Sequence, residues 1–211
     1  MGNYLDTLYK LKTSGLQADR ILDIGACYGH WTRNARQVYP NASYTLIEPI
    51  EYNIPEETVI HALLSDTEGE LVTWYEKKNT GDSIYKENTG FFKDCEPDFK
   101  ITTTLDTLNL GKFDIIKIDT QGSELPILKG GVKTIEGTPV IILEIPFAGE
   151  YNKGVPNFAE HIAYMNSIGY APFDITEHHY VDGYLIQVDI AFVLKGHFLL
   201  KQVQESINLY H

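Results

Sequence analysis

Ile21-Leu22-Asp23-Ile24-Gly25-Ala26-Cys27-Tyr28-Gly29 is the stretch whose reading decides the fold. It opens on a short apolar run broken only by Asp23, and two glycines follow. From His30 to Tyr39 the apolar residues fall at 31, 35, 38 and 39, which is helical spacing. The stretch is therefore a strand, a tight glycine turn and a helix. Such a turn lets backbone approach a ligand closely, and the helix start offers unpaired N–H groups. In an open α/β sheet this builds a nucleotide-type site at the carboxyl end of a parallel strand.

The glycine spacing narrows the ligand. A dinucleotide fingerprint reads G-x-G-x-x-G. Here Cys27 stands at its second glycine, and a side chain there obstructs the close approach that a pyrophosphate needs. Asp23, two residues before the first glycine, suits a cation. S-adenosylmethionine carries an ammonium and a sulfonium and no phosphate, so D-x-G-x-x-x-G matches it better than NAD. Asp23, Gly25, Ala26, Cys27 and Gly29 are read as its binding turn. A plain strand–turn–helix, or a site for another nucleotide, stays open as the alternative.

The chain has 211 residues, 43% hydrophobic and 22% charged, which is enough for a sizeable globular core. Its net charge of −12 argues against a phosphate-binding surface, so no nucleic-acid partner is expected. Two cysteines, Cys27 and Cys95, show no metal-ligand spacing, and we assign no metal ligands. No apolar run is long enough to span a bilayer and no signal peptide is visible, so the expected location is cytoplasmic, away from membranes. Met1-Gly2 invites a myristoylation reading, but Asp6 occupies the position that wants Ser or Thr.

Outward from the turn, residues 3 to 17 read as an amphipathic helix, expected to pack on the sheet rather than act as a lid. Ser43 to Ile47 is the second strand, and Glu48 follows it 23 residues after Gly25. An acid there can accept both ribose hydroxyls. Val59 to Leu64 is a third strand, with Ser65 and Asp66 placed to meet an adenine edge. Leu71 to Tyr75 is extended, and residues 76–98 form a long polar loop. Long loops in compact domains are usually functional or mobile, and this one is the expected substrate loop, with Ser83 and Tyr85 in it.

Phe113 to Asp119 is the fourth core strand, with Lys117 among isoleucines. A buried lysine needs a partner, and Asp23 and Glu144 on the flanking strands are the available acids. Asp119 and Glu144 close their strands at the carboxyl edge, and Gln121 follows in a turn. A helix from 156 to 168 precedes two late strands, Tyr170 to Ile175 and Leu185 to Leu194. These read as an antiparallel hairpin closing the sheet, with His178 and His179 in the connecting loop. A last amphipathic segment covers 197–209, and no linker divides the chain, so one domain is expected over 1–211.

Taken together, Ile-Leu-Asp-Ile-Gly-Ala-Cys-Tyr-Gly, Leu-Ile-Glu-Pro, Ala-Leu-Leu-Ser-Asp, Thr-Thr-Leu-Asp-Thr-Leu and Ile-Lys-Ile-Asp-Thr-Gln-Gly-Ser-Glu-Leu-Pro-Ile-Leu-Lys-Gly-Gly resemble the FkbM-type methyltransferases, over residues 20 to 194. The resemblance implies a Rossmann-like class I methyltransferase: an α/β fold with a seven-stranded, mostly parallel sheet and helices on both faces. It implies S-adenosyl-L-methionine as donor and a hydroxyl of a sugar, glycan or small metabolite as acceptor. Asp23, Gly25, Glu48 and Asp66 would line the cofactor, with Asp119 at the mouth between donor and acceptor; Ser65 and Gln121 are expected beside them. The family often has Asn where this chain has Cys27, which removes one side-chain hydrogen bond.

Asp119 is the first expectation for the base that takes the acceptor's proton, then Glu144, then His178 or His179. Ser83, Tyr85, His178 and His179 are expected to touch the acceptor. Asp119 with Glu124 as a divalent-ion pair is the weighed alternative. A methyltransferase fold that binds cofactor or partner without catalysis is the second functional reading. An oligomer of identical chains is compatible with the sequence.

Overall fold

The computed structural model describes residues 4–55 and 57–210. Met1, Gly2 and Asn3, on which the myristoylation reading and the helix start fall, lie outside them. The order is α1 (Tyr4–Thr13), β1 (Arg20–Ile24), α2 (His30–Val38), β2 (Ser43–Ile47), β3 (Thr58–Ile60), β4 (Leu63–Ser65), β5 (Leu71–Tyr75), β6 (Pro97–Thr104), β7 (Ile115–Ile118), α3 (Glu124–Gly130), α4 (Val132–Ile135), β8 (Val140–Pro146), α5 (Phe158–Ser167), β9 (Tyr170–Val181), β10 (Tyr184–Leu194) and α6 (Phe198–Leu209). The main sheet has seven strands in the order β3-β2-β1-β7-β8-β10-β9. The first five run parallel and the β9–β10 hairpin runs antiparallel.

Strand alternation sorts the side chains between two faces. Ile21, Ile115, Ile142 and Ala191 meet Leu8 and Leu11 of α1 and Ala35 and Val38 of α2. Leu22, Ile116, Ile141 and Phe192 meet Leu125 and Leu128 of α3 and Met165 of α5. Helices therefore cover both faces, as expected for a parallel sheet. Asp23 and Lys117 are direct partners on β1 and β7, and period two puts them on the α1/α2 face. Asn157 and Glu160 form a reciprocal capping box at the start of α5.

Two expectations change. The third strand is broken: Thr58–Ile60 completes the main sheet, while Leu63–Ser65 joins a second, three-stranded sheet, β4-β6-β5. After three residues against β2, the chain turns away to pair with Thr102–Thr104. The late strands are longer than expected, and His178 and His179 lie on β9 rather than in a loop. The physical reason is Asp182-Gly183, with φ of 48° and 83°. Both residues take the left-handed conformation that a tight two-residue hairpin turn requires, so the ladder reaches Val181 and Tyr184.

Candidate active site

The site lies beyond the carboxyl ends of β1, β2, β7 and β8. Gly25 has a φ of +78°, and a Cβ there would stand 1.7 Å from the carbonyl oxygen of Asp119. Glycine is thus required first by the neighbouring strand end. Gly25→Ala is expected to lose at least about 1–3 kcal/mol of stability, through the collision with the Asp119 carbonyl and the strain of a left-handed backbone. Denaturant midpoints check this, and a loss under about 0.5 kcal/mol would contradict it. Gly29 starts α2 with a φ of 69°, and a Cβ there would meet Ile54 at 2.8 Å.

Glu48 braces the turn. Its Oε2 accepts the Cys27 N–H at 2.8 Å and its Oε1 accepts the Ile50 N–H at 3.1 Å. Each oxygen keeps further acceptor capacity. Burial pushes the Glu48 carboxyl up to about 7. Cys27 sits at φ 47°, a conformation that Asn tolerates better than most residues. Burial and then Glu48 push its thiol up to about 11.

The cleft has two limbs. The narrow one, about 50 Å³, has apolar walls from Ile47, Leu64, Trp74 and Ile127, with Glu48 and Ala26's neighbour Cys27 beside them. The wide one, about 630 Å³, is lined by Ala26, Trp31, Lys117, Glu144, Glu177 and His179 among others. Asp119 and Gln121 line both limbs and so stand at their junction.

A polar network fixes that junction. Lys117 Nζ lies 2.8 Å from Asp119 Oδ2. Gln121, held at φ 56°, donates to Asp119 Oδ1 at 3.2 Å and to Glu144 Oε2 at 2.6 Å. Burial opposes the charge on Asp119, but the Lys117 ammonium and the hydrogen bonds from Lys117, Gln121 and Glu144 together outweigh it and hold the carboxyl below its usual range. Burial, then the Asp119 and Asp189 charges, push Glu144 well above its usual range. The side-chain partner of Lys117 is therefore Asp119, in place of the expected Asp23 or Glu144. The reason is period two along one strand, which puts 117 and 119 on one face.

Asp23 is fully buried, and its Oδ2 accepts from Thr32 Oγ1 at 2.6 Å. It lies beneath the turn rather than in either limb, and burial raises its carboxyl. Ser65 and Asp66 do not line the cleft; Ala62, Leu63 and Leu64 do. Asp66 instead accepts from Thr67 at 3.1 Å. Ser65 and Asp66, read for the adenine edge, thus line neither limb. Glu124 Oε1 accepts from the Thr120 N–H and hydroxyl and from the Gly122 N–H, which makes it the brace of the post-β7 turn. It does not reach the cleft beside Asp119.

The loop after β5 folds across the mouth. Ser83 is buried, and its hydroxyl bonds the Thr120 and Gln121 carbonyls at 3.3 and 3.0 Å. Asp82 accepts the Lys77 and Asn79 N–H groups, and Tyr28 donates to the Lys78 carbonyl. Tyr85 lies against Gly122. Ser83 and Tyr85 thus anchor the loop and line neither limb, while Asn79 and Thr80 face both. His178 is exposed and stacks on Tyr180, outside the cavity. His179 faces the wide limb, with Nε2 3.2 Å from Asp189 Oδ1. Asp189 and Glu177 went unread in the sequence. An acid inside the apolar run 185–194 is the same anomaly that drew attention to Lys117.

The FkbM methyltransferase domain model matches residues 23–172. Among curated proteins, none matches the chain in sequence. Similar solved structures include an S-adenosylmethionine-dependent methyltransferase from Clostridium acetobutylicum ATCC 824, at TM-score 0.53 and 12% identity, covering 92% of this chain and 91% of that one. Magnesium protoporphyrin IX methyltransferase (ChlM) from Synechocystis PCC 6803 with bound SAM has TM-score 0.52 and 11% identity, covering 90% and 78%. The N-terminal domain of EvdMO1, in the presence of SAH and D-fucose, has TM-score 0.50 and 12% identity, covering 92% and 83%. At such identities the likeness speaks for the fold, whereas the domain match covers most of the chain. The chain belongs to the FkbM methyltransferase family, a Rossmann-like α/β family whose methyl donor is S-adenosylmethionine.

Proposed function

We propose that this protein is an O-methyltransferase acting on a hydroxyl of a sugar, glycan or small metabolite. The observation that carries the reading is Asp119, an ionised carboxylate at the junction of an apolar slot and a polar cavity. The slot would take the donor's nucleoside. Its walls include the apolar Ile47, Leu64, Trp74 and Ile127, and Glu48 keeps two braced oxygens there for the ribose hydroxyls. The turn from Gly25 to Cys27 borders both limbs and would carry the amino-acid part. When bound, the donor supplies a methyl group already activated by its sulfonium.

The protein's own task is alignment and proton removal. Asp119 faces the acceptor hydroxyl and takes its proton as the new O–CH3 bond forms and the S–CH3 bond breaks. Lys117 and Gln121 hold the carboxylate in one orientation. Alignment of this kind is worth up to about 7–11 kcal/mol in favourable models. The wide limb, lined by Glu144, His179 and Gln121, receives the acceptor. No described helix is long and apolar enough to cross a membrane.

Glu48 gives this reading a pH signature. It accepts ribose hydroxyls as a carboxylate, and in the free protein its carboxyl stands at about 7. Below that pH the free protein is protonated there, so donor affinity falls as pH falls. The donor's dissociation constant should rise about tenfold from pH 8 to pH 6. Glu48→Gln should flatten the profile, and a flat wild-type profile would contradict the ribose role. The acceptor is tested with methyl-labelled donor against a panel of sugars, phenols and amines. Label in an alkali-stable methyl ether supports the proposal, and label in an amine alone overturns it.

A further inference from the structure

A row of three acids runs beside the wide limb, with Lys117 as the cation that faces it. Glu144 on β8 is the direct partner of Asp189 on β10, and Asp189 is the direct partner of Glu177 on β9. Like charges directly opposite destabilise a sheet, and a buried charge without a partner is costly. Glu144 is 6% exposed and Asp189 is 3% exposed. Among the described residues no Lys or Arg stands within ion-pair distance of any of the three: Lys117 is bonded to Asp119 and acts on them from farther off, and only His179 pairs directly, with Asp189. Glu144 is bonded by Gln121 and lies against Asp119, and Asp189 is bonded by His179.

His179 stands in the next row of the same face, paired in register with Gln187. One ligand atom from each of Glu144, His179 and Asp189 can be chosen so that all lie within 4.8 Å of one another. The closest pair, His179 Nε2 and Asp189 Oδ1, is 3.2 Å apart. Neighbouring ligands of an ion with bonds of about 2.1 Å are separated by about that distance.

We propose that Glu144, His179 and Asp189 hold a divalent transition-metal ion at the floor of the acceptor cavity. Two carboxylates with one imidazole suit Mn2+ or Zn2+ better than the all-oxygen cations Mg2+ and Ca2+. Three adjacent strands fix the ligands, and the Gln121 amide orients Glu144. Three protein ligands leave open positions, and Glu144 and His179 both border the cavity. Resting on the methyl-transfer reading, this narrows the acceptor to a compound with two adjacent oxygens, a vicinal diol or α-hydroxy acid. One oxygen would bind the ion and so hold the neighbouring hydroxyl toward Asp119.

The test strips the full chain with EDTA, removes the chelator and titrates MnCl2, following free Mn2+ by its electron paramagnetic resonance signal. S-adenosylmethionine is titrated into the same metal-free samples. One Mn2+ per chain is expected, weakened at least about tenfold in His179→Gln and Asp189→Asn. Zn2+ should displace it. Donor binding retained in both variants shows that they fold. Wild-type protein that takes donor but binds no Mn2+, or binds it as well as the variants do, overturns the metal site and leaves the methyltransferase reading standing. Wild-type protein that takes Mn2+ at this site but no donor overturns that reading, and the acceptor class with it, and keeps the metal site.

Discussion

Asp119→Asn should lower kcat by about 10²–10⁴-fold, the usual contribution of a positioned base. Asn keeps the shape and the hydrogen bond from Lys117 but cannot take a proton. Donor affinity should change far less, because Glu48 and the apolar slot are untouched. A single-turnover assay at saturating donor, with calorimetry for binding, separates the two effects. A kcat within about threefold of wild type would remove Asp119 from the chemistry and point to another group in the wide limb. The low pKa of Asp119 makes it a weak base at rest. Its value to the reaction is that it is ionised across the working range and already aimed at the junction of the limbs.

Lys117→Met should cost about 3–5 kcal/mol of stability, the loss expected when one partner of a buried ion pair is removed. Lys117 is 5% exposed, and the substitution leaves Asp119 without its ammonium and Asp23 without the nearest cation. The penalty should depend on pH, with a definite sign. In the wild type, Asp119 is held below its unfolded pKa, so its contribution is present above that pKa and lost as pH falls. In the variant both acids fold more easily when protonated. The gap between variant and wild type should therefore shrink as pH drops through the carboxylate range. Urea midpoints at neutral pH and at acid pH test both statements. A variant as stable as wild type at neutral pH would mean that the two acids are solvated rather than buried against Lys117.

Particular residues explain how much of this was readable. The Asp23–Gly29 turn, Glu48 after β2 and Asp119 after β7 follow from local patterns of apolar run and breaker, and all fall where those patterns place them. Lys117 was readable as a problem, but its partner was not. The flanking strands suggested Asp23 and Glu144, while the residue two positions along, on the same face, reaches it first. Asp23 and Glu124 are acids at strand and turn ends, yet they serve Thr32 and Thr120. Only tertiary packing decides whether such an acid faces ligand or backbone. The histidines were misplaced because Asp182-Gly183 went unread as a hairpin signal. Once the strand is extended, its alternation separates His178, outside, from His179, in the cavity. Asp189 and Glu177 become a site only through strand register, which no local window contains.

The central claim is that the narrow limb takes the nucleoside of S-adenosylmethionine. Calorimetric titration of the full chain with S-adenosylmethionine and, separately, with NAD tests it most directly, with Glu48→Ala alongside. Binding of S-adenosylmethionine alone is expected, weakened by about 10–100-fold in the variant through the loss of charge-assisted hydrogen bonds. Binding of NAD instead, or an affinity for S-adenosylmethionine unchanged by Glu48→Ala, would contradict it.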